Sequence, residues 1–79
     1  MYSVYVLKSE KNNKSYVGHT GDLNRRLLEH NRGDNYYTKR HRPWIVVYKE
    51  DYDNLEEAIR REKFLKSTSG RRFLKEIFN

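Results

Sequence analysis

Residues 3–20 read SVYVLKSEKNNKSYVGHT. Two runs rich in Val and Tyr, Tyr2 to Lys8 and Ser15 to His19, flank the polar stretch Glu10-Lys11-Asn12-Asn13-Lys14, which carries turn chemistry. The pattern predicts a β-hairpin. If the turn is even in length, either Asn12-Asn13 or Glu10 to Asn13, residues whose numbers differ by an odd amount share one face. Tyr5 and Tyr16 meet that condition and are expected to be neighbours. A cross-strand aromatic pair is a common structural device, so this stretch alone leaves core filler and chemistry both open. Gly18, next after Tyr16-Val17, allows another group to approach the backbone closely.

Beyond the hairpin, Thr20-Gly21-Asp22 offers N-cap side chains, Leu23, Leu27 and His30 follow helical spacing, and Gly33 supplies a stop. A helix from about Asp22 to Arg32 is predicted. The segment DNYYTKRHR, Asp34 to Arg42, has no period and is polar or basic apart from Tyr36 and Tyr37, which predicts an exposed loop. After Pro43, WIVVYKE is a largely apolar β-type run, expected to form a strand buried on both faces. Asn54 can cap a second helix with Glu57 at the capping-box position, running to about Lys66 before a breaker at Ser67 to Gly70. A last helix is expected at roughly Arg71 to Phe78. The order ββαβαα predicts an α+β domain, a small three-stranded sheet with helices against it.

The 79 residues are read as one domain, 1–79, with no internal repeat or linker. A chain of that size buries only about 60% of its unfolded surface, so its core is thin. Cysteine is absent, which removes disulfides, zinc-thiolate sites and thiol catalysis. No apolar run reaches the length of a membrane span or signal-peptide core, and a cytoplasmic protein is expected. Against 11 Asp and Glu stand 17 Lys and Arg, a net charge of +6 that favours a polyanionic partner, nucleic acid first.

Two helical positions break the pattern. On a wheel of about 100° per residue, Ala58, Ile59 and Leu65 fall with Leu55 in an arc roughly 120° wide, and Glu62 lies near its middle. A carboxylate aimed at a core needs a partner: an internal salt bridge, for instance to an arginine of the first helix, or a bound cation. In the first helix Arg26 and His30 are four apart on one face beside the Leu23 and Leu27 stripe, while Arg25, Glu29 and Arg32 suit a solvated face. His30 is open to a hydrogen-bonded structural role or, with Arg26, to an anion site.

Taken together, these residues resemble the GIY-YIG nuclease family. Ser3-Val4-Tyr5 looks like its first motif, with Ser3 where the motif has glycine, and Tyr16-Val17-Gly18 looks like its second. GDLNRRLLEH, residues 21–30, resembles the helix carrying the family's arginine, at Arg26; LEEAIRREKFLK, residues 55–66, resembles the helix carrying its metal-binding glutamate, at Glu62. The match spans nearly the whole chain and is closest to short stand-alone bacterial members. The N-terminal incision module of the excision-repair nuclease belongs to the same family, which makes DNA repair an expected setting.

The resemblance implies an endonuclease that cuts phosphodiester bonds in nucleic acid, expected to be DNA, using Mg²⁺ or Mn²⁺. Tyr16 is then the general base or a relay to it, Tyr5 its support, Arg26 the phosphate ligand and Glu62 the metal ligand. His30 holds a place that some members use beside the arginine, and His19 a place that is basic in certain members. Some branches put an asparagine after the glutamate helix; here that segment reads GRRFLKEI, with Leu74 near the position. Phosphate hydrolysis needs a hard cation, a guanidinium and a base for water, and these residue types can supply all three. A free tyrosine titrates near 10, so Tyr16 needs positive charge beside it to act as that base.

Lys39, Arg40 and Arg42 in the predicted loop, and Arg71 and Arg72 in the last helix, are candidate phosphate contacts, with Tyr36 and Tyr37 available to stack on unpaired bases. The competing functions are a nucleic-acid-binding module that does not cut or works only with a protein partner, and an interaction domain that uses Trp44 and the tyrosines as its interface.

Overall fold

The computed structural model describes residues 1–78 and contains β1 (Tyr2–Ser9), β2 (Ser15–Thr20), α1 (Leu23–Arg32), α2 (Tyr36–His41), β3 (Trp44–Tyr52), α3 (Leu55–Lys66) and α4 (Thr68–Phe78). The strands form one antiparallel sheet in the order β2-β1-β3. The α+β architecture is the one expected from the sequence, with α2 as an added short element.

The hairpin closes on the longer of the two even turns. Lys8 pairs with Ser15, and the Ser9 amide donates to the Lys14 carbonyl at 3.0 Å, which leaves Glu10 to Asn13 as the turn. The Ser9 hydroxyl accepts from the amides of Lys11 at 3.0 Å and Asn12 at 3.2 Å, and Asn12 Oδ1 accepts from the Lys14 amide at 2.9 Å. Short polar side chains thus satisfy amides that the ladder cannot reach. In the resulting register Tyr5 faces Gly18 and Leu7 faces Tyr16, so the two tyrosines are diagonal neighbours on one face.

Alternation along the strands divides the interior in two. Val4 and Val6, on one face, pack with Ala58, Leu65 and Leu74 from α3 and α4. Tyr5 and Leu7, on the other, pack with Trp44 and with Leu23 and Leu27 of α1. The central strand β1 is the one buried on both faces. β3 is an edge strand with Ile45 exposed, contrary to its apolar sequence, because β1 separates it from β2 and only one of its sides is hydrogen-bonded.

Two further segments differ from expectation. The supposed loop contains α2, whose N-cap Asn35 accepts from the amides of Tyr37 and Thr38; six residues are too few to display a hydrophobic period. The supposed breaker at Ser67 to Gly70 is a single residue, Ser67, after which α4 begins at Thr68. Gly70 lies inside that helix because its backbone passes against α3. A Cβ at Gly70 would stand 1.9 Å from the Phe64 carbonyl oxygen, so glycine here allows packing and does not end a helix.

Candidate active site

α1 is held at both ends by its own residues. Asp22 accepts from the Arg25 amide, and Gly33, at φ 97°, takes the left-handed conformation that closes the last turn. This places Arg26 and His30 over the Tyr5 face of the sheet. His30 is fully buried: Nε2 lies 2.9 Å from the Tyr5 hydroxyl and Nδ1 lies 2.9 Å from Thr38 Oγ1. The Thr38 hydroxyl donates onward to the Asn35 carbonyl at 3.3 Å. With that proton committed, Thr38 accepts from His30 Nδ1–H, and Nε2 is left to accept from the Tyr5 hydroxyl.

The electrostatics agree with this chain. Burial, with help from the Arg26 charge, pulls the His30 pKa down to about 4, so the ring is neutral at physiological pH. Burial likewise pushes the Tyr5 hydroxyl up to about 12, against the opposing pull of Arg26. Tyr5 therefore keeps its proton. Tyr16 differs: its ring packs against His30 (centroids 4.8 Å apart), Tyr37 (6.1 Å) and Tyr5 (6.3 Å), but its hydroxyl makes no hydrogen bond among the described residues. Gly18 makes room for both tyrosines, since a Cβ there would stand 2.7 Å from the Tyr5 oxygen and 3.0 Å from Tyr16 Cε2.

Arg26 is half-buried and donates to Glu29 at 2.9 Å; Glu29 also takes Arg25 at 3.3 Å, so it turns back along the helix and orients the guanidinium. Hydrogen bonding with Glu29, and next the proximity of Tyr5, hold Arg26 firmly in its charged form.

Glu62 approaches from the other face of the sheet. It sits at the rim, its side chain 18% exposed, and not in the core. Its partner is no arginine of α1: Oε1 meets His19 Nδ1 at 2.6 Å and Oε2 accepts from Lys66 at 2.8 Å. Burial alone would raise its pKa, but hydrogen bonds from Lys66 and His19 outweigh that and hold it below the usual carboxylate range. Glu62 is ionised at neutral pH. Among the described residues no three His, Asp or Glu gather into a closed metal cage. The donor set suits a hard ion that keeps most of its water and takes one protein carboxylate, and the mostly exposed Lys66 partner is readily exchanged.

Of the expected residues, the fold brings Tyr5, Tyr16, Arg26 and His30 together on one face, and His19 and Glu62 together on the other, with β2 between them. Arg71 lines a cleft beside Tyr16 and Lys66, while the exposed Arg72 lies outside that lining. Lys39, Arg40 and Arg42 line a separate recess of about 490 Å³ with Lys11 and Tyr36. Arg40 stands over the Tyr36 ring at 5.9 Å, and Arg42 donates to the Arg32 carbonyl at 2.8 Å. Trp44 is core: its indole N–H donates to the Thr38 carbonyl at 2.8 Å, which removes it from any interface. Thr38 was not legible as a functional residue; Asn35 as a helix cap three residues before it was the available signal.

His30 gives a pH dependence of stability. Its folded pKa lies below the unfolded value of about 6.5, so the unfolded chain binds a proton that the folded chain refuses. Stability is full above pH 6.5 and falls as pH drops, by about 3 kcal/mol at pH 4. Urea unfolding at a series of pH values should show the loss setting in above pH 5, before the paired carboxylates titrate, and His30→Asn should flatten that part of the curve.

Residues 1–75 match the GIY-YIG catalytic domain family. A UPF0213 protein of Staphylococcus haemolyticus is 40% identical over 75 residues, covering 94% of this chain and 90% of that protein. One of Halobacterium salinarum is 39% identical over 70 residues, covering 87% and 90%. The solution NMR structure of a UPF0213 protein from Bacillus halodurans superposes with a TM-score of 0.57 at 29% identity, over 96% of this chain and 83% of that one. Among the described residues no helix is long and apolar enough to cross a membrane. With residues 1–75 matched by the family's model and relatives 37–40% identical over most of its length, the chain belongs to the GIY-YIG catalytic domain family.

Proposed function

We propose that this protein is a divalent-metal-dependent endonuclease acting on the phosphodiester bonds of nucleic acid, with DNA as its expected substrate and the cytoplasm as its expected setting. The observation that carries this is the contrast between the two tyrosines. The Tyr5 hydroxyl is locked into the buried chain through His30 to Thr38, whereas the Tyr16 hydroxyl beside it is uncommitted and lies within electrostatic reach of Arg26.

In this reading Tyr16, acting as the phenolate beside the positive charge of Arg26, takes a proton from the attacking water and becomes the neutral phenol. Tyr5, donating to His30, presents only lone pairs to the site and so directs hydrogen-bond donors. Arg26, steadied by Glu29, offers its remaining N–H groups to the non-bridging oxygens of the scissile phosphate as charge builds there. Glu62 would hold Mg²⁺ or Mn²⁺, which when bound supplies Lewis-acid stabilisation of the same phosphate. His19 fixes the Glu62 carboxylate through Nδ1–H, as a neighbour orients a ligand in many metal sites.

A second reading, binding without cleavage, is favoured by Leu74. It is buried in the α3–α4 core, near the position where the resemblance puts an asparagine in some branches of the family, and it offers no polar contact. The test is incubation of labelled single-stranded, duplex and branched DNA with Mg²⁺ or Mn²⁺, and with chelator. Cleavage should require the metal and fall by about 10²-fold or more in Glu62→Ala. Cleavage that persists in Glu62→Ala or in chelator would sink the metal-dependent assignment at Glu62, and metal-independent binding with no cleavage would establish the second reading.

A further inference from the structure

A cleft of about 740 Å³ runs from the turn end of the hairpin to the junction of α3 with α4, and Tyr16 stands in its wall. Its charged lining is all of one sign: Lys8, Lys14, Lys66, Arg71 and Lys75, with no Asp or Glu. Lys66 is engaged by Glu62, but Lys8, Lys14, Arg71 and Lys75 form no ion pair among the described residues. Arg71 and Lys75 are four apart on α4 and so share a face across from the hairpin lysines. Like charges collected around a concavity repel one another and concentrate a field that a polyanion relieves.

The aromatic part of the lining decides which polyanion. Tyr37 is 41% exposed and its ring lies 6.1 Å from that of Tyr16. His41 (5.0 Å) and Trp44 (6.3 Å) back the same ring, and its exposed part beside the cations suits a base whose own faces are free; bases inside a duplex are already stacked on both sides. We propose that this cleft binds an unpaired stretch of nucleic acid adjoining the bond to be cut, its phosphates on Lys8, Lys14, Arg71 and Lys75 and a base stacked on Tyr37. The position of the cut bond rests on the nuclease reading above; the binding does not.

Binding of fluorescein-labelled oligo-dT to the full chain, measured in chelator so that nothing is cut, tests this. Oligo-dT should bind more tightly than a duplex of equal length, with log K falling against log salt at a slope of about −3 for four phosphates. Because both side chains are exposed, Lys14→Gln with Lys75→Gln should fold normally and flatten that slope by about 1.4. Tyr37→Ala should weaken oligo-dT roughly tenfold or more, Tyr37→Phe should not, and an abasic strand should be indifferent to both. Equal affinity for duplex, or an unchanged slope in the double lysine variant, would overturn the proposal. If the protein cleaves but the lysine variant leaves binding unaltered, this inference fails and the nuclease reading stands; if it binds as described and never cleaves, the reverse holds.

Discussion

Tyr16→Phe is expected to slow metal-dependent cleavage by about 10²- to 10⁴-fold while moving the unfolding midpoint by no more than ~1 °C. The substitution removes one oxygen atom, and that oxygen bonds nothing among the described residues, so the fold loses no hydrogen bond with it. The ring contacts with His30, Tyr37 and Tyr5 all remain. The companion variant Tyr5→Phe removes the partner of buried His30 Nε2 and leaves that acceptor unsatisfied, a cost of about 1–3 kcal/mol. In a domain this small each kcal/mol moves Tm by roughly 4–8 °C, so Tyr5→Phe should lower both Tm and rate. Single-turnover cleavage and thermal melts on the same preparations separate the two. A Tyr16→Phe variant that cuts at the wild-type rate would transfer the role of base to another group.

Gly70→Ala should be the most damaging single methyl group in the chain. The added carbon would sit 1.9 Å from the Phe64 carbonyl oxygen and 2.4 Å from Leu65 Cα, both of them backbone atoms unable to swing aside. Overpacking a core commonly costs about 1–3 kcal/mol, with relaxation included. Here relief requires α4 to lift off α3, taking Leu74 out of contact with Leu65 and Val6. A loss of at least about 3 kcal/mol is expected, from a total of about 4–12 for a chain of this length, with Tm falling by roughly 12 °C or more. Gly21→Ala is the control: its nearest neighbour would be the Tyr2 ring at 3.8 Å, an ordinary contact. Urea unfolding of the two variants should differ accordingly, and equal midpoints would mean that the α3–α4 junction is softer than its packing implies.

Hairpin, first helix and capped third helix were legible because each is written in local chemistry. Asp22, Gly33 and Asn54 act on amides and carbonyls a few residues away, and alternation sends Tyr5 and Tyr16 to one side. What was not legible depends on distant chain. The apolar run of β3 gives no sign that the strand ends up at an edge, since that follows from β1 lying between the other two. Glu62 stands out on its helix from the sequence alone, but its partners His19 and Lys66 could not be chosen over an α1 arginine without the packing of α3 on β2. The relay through His30 to Thr38 was hidden for the same reason, because it joins α1 to a helix too short to show a period.

The two groups farthest apart in role, Tyr16 and the His19 that holds Glu62, are three residues apart on β2. About 10 Å of rigid pleat separates them, with no loop between that could drift. On the nuclease reading, a substrate strand that reaches both would have to pass over the outer border of the sheet, where the backbone groups of β2 have no neighbouring strand. Such a border invites pairing with another chain and is ordinarily guarded against aggregation. On the same reading, a second chain annealed along β2 would compete with substrate for that border, so self-association there and occupancy by nucleic acid would exclude each other.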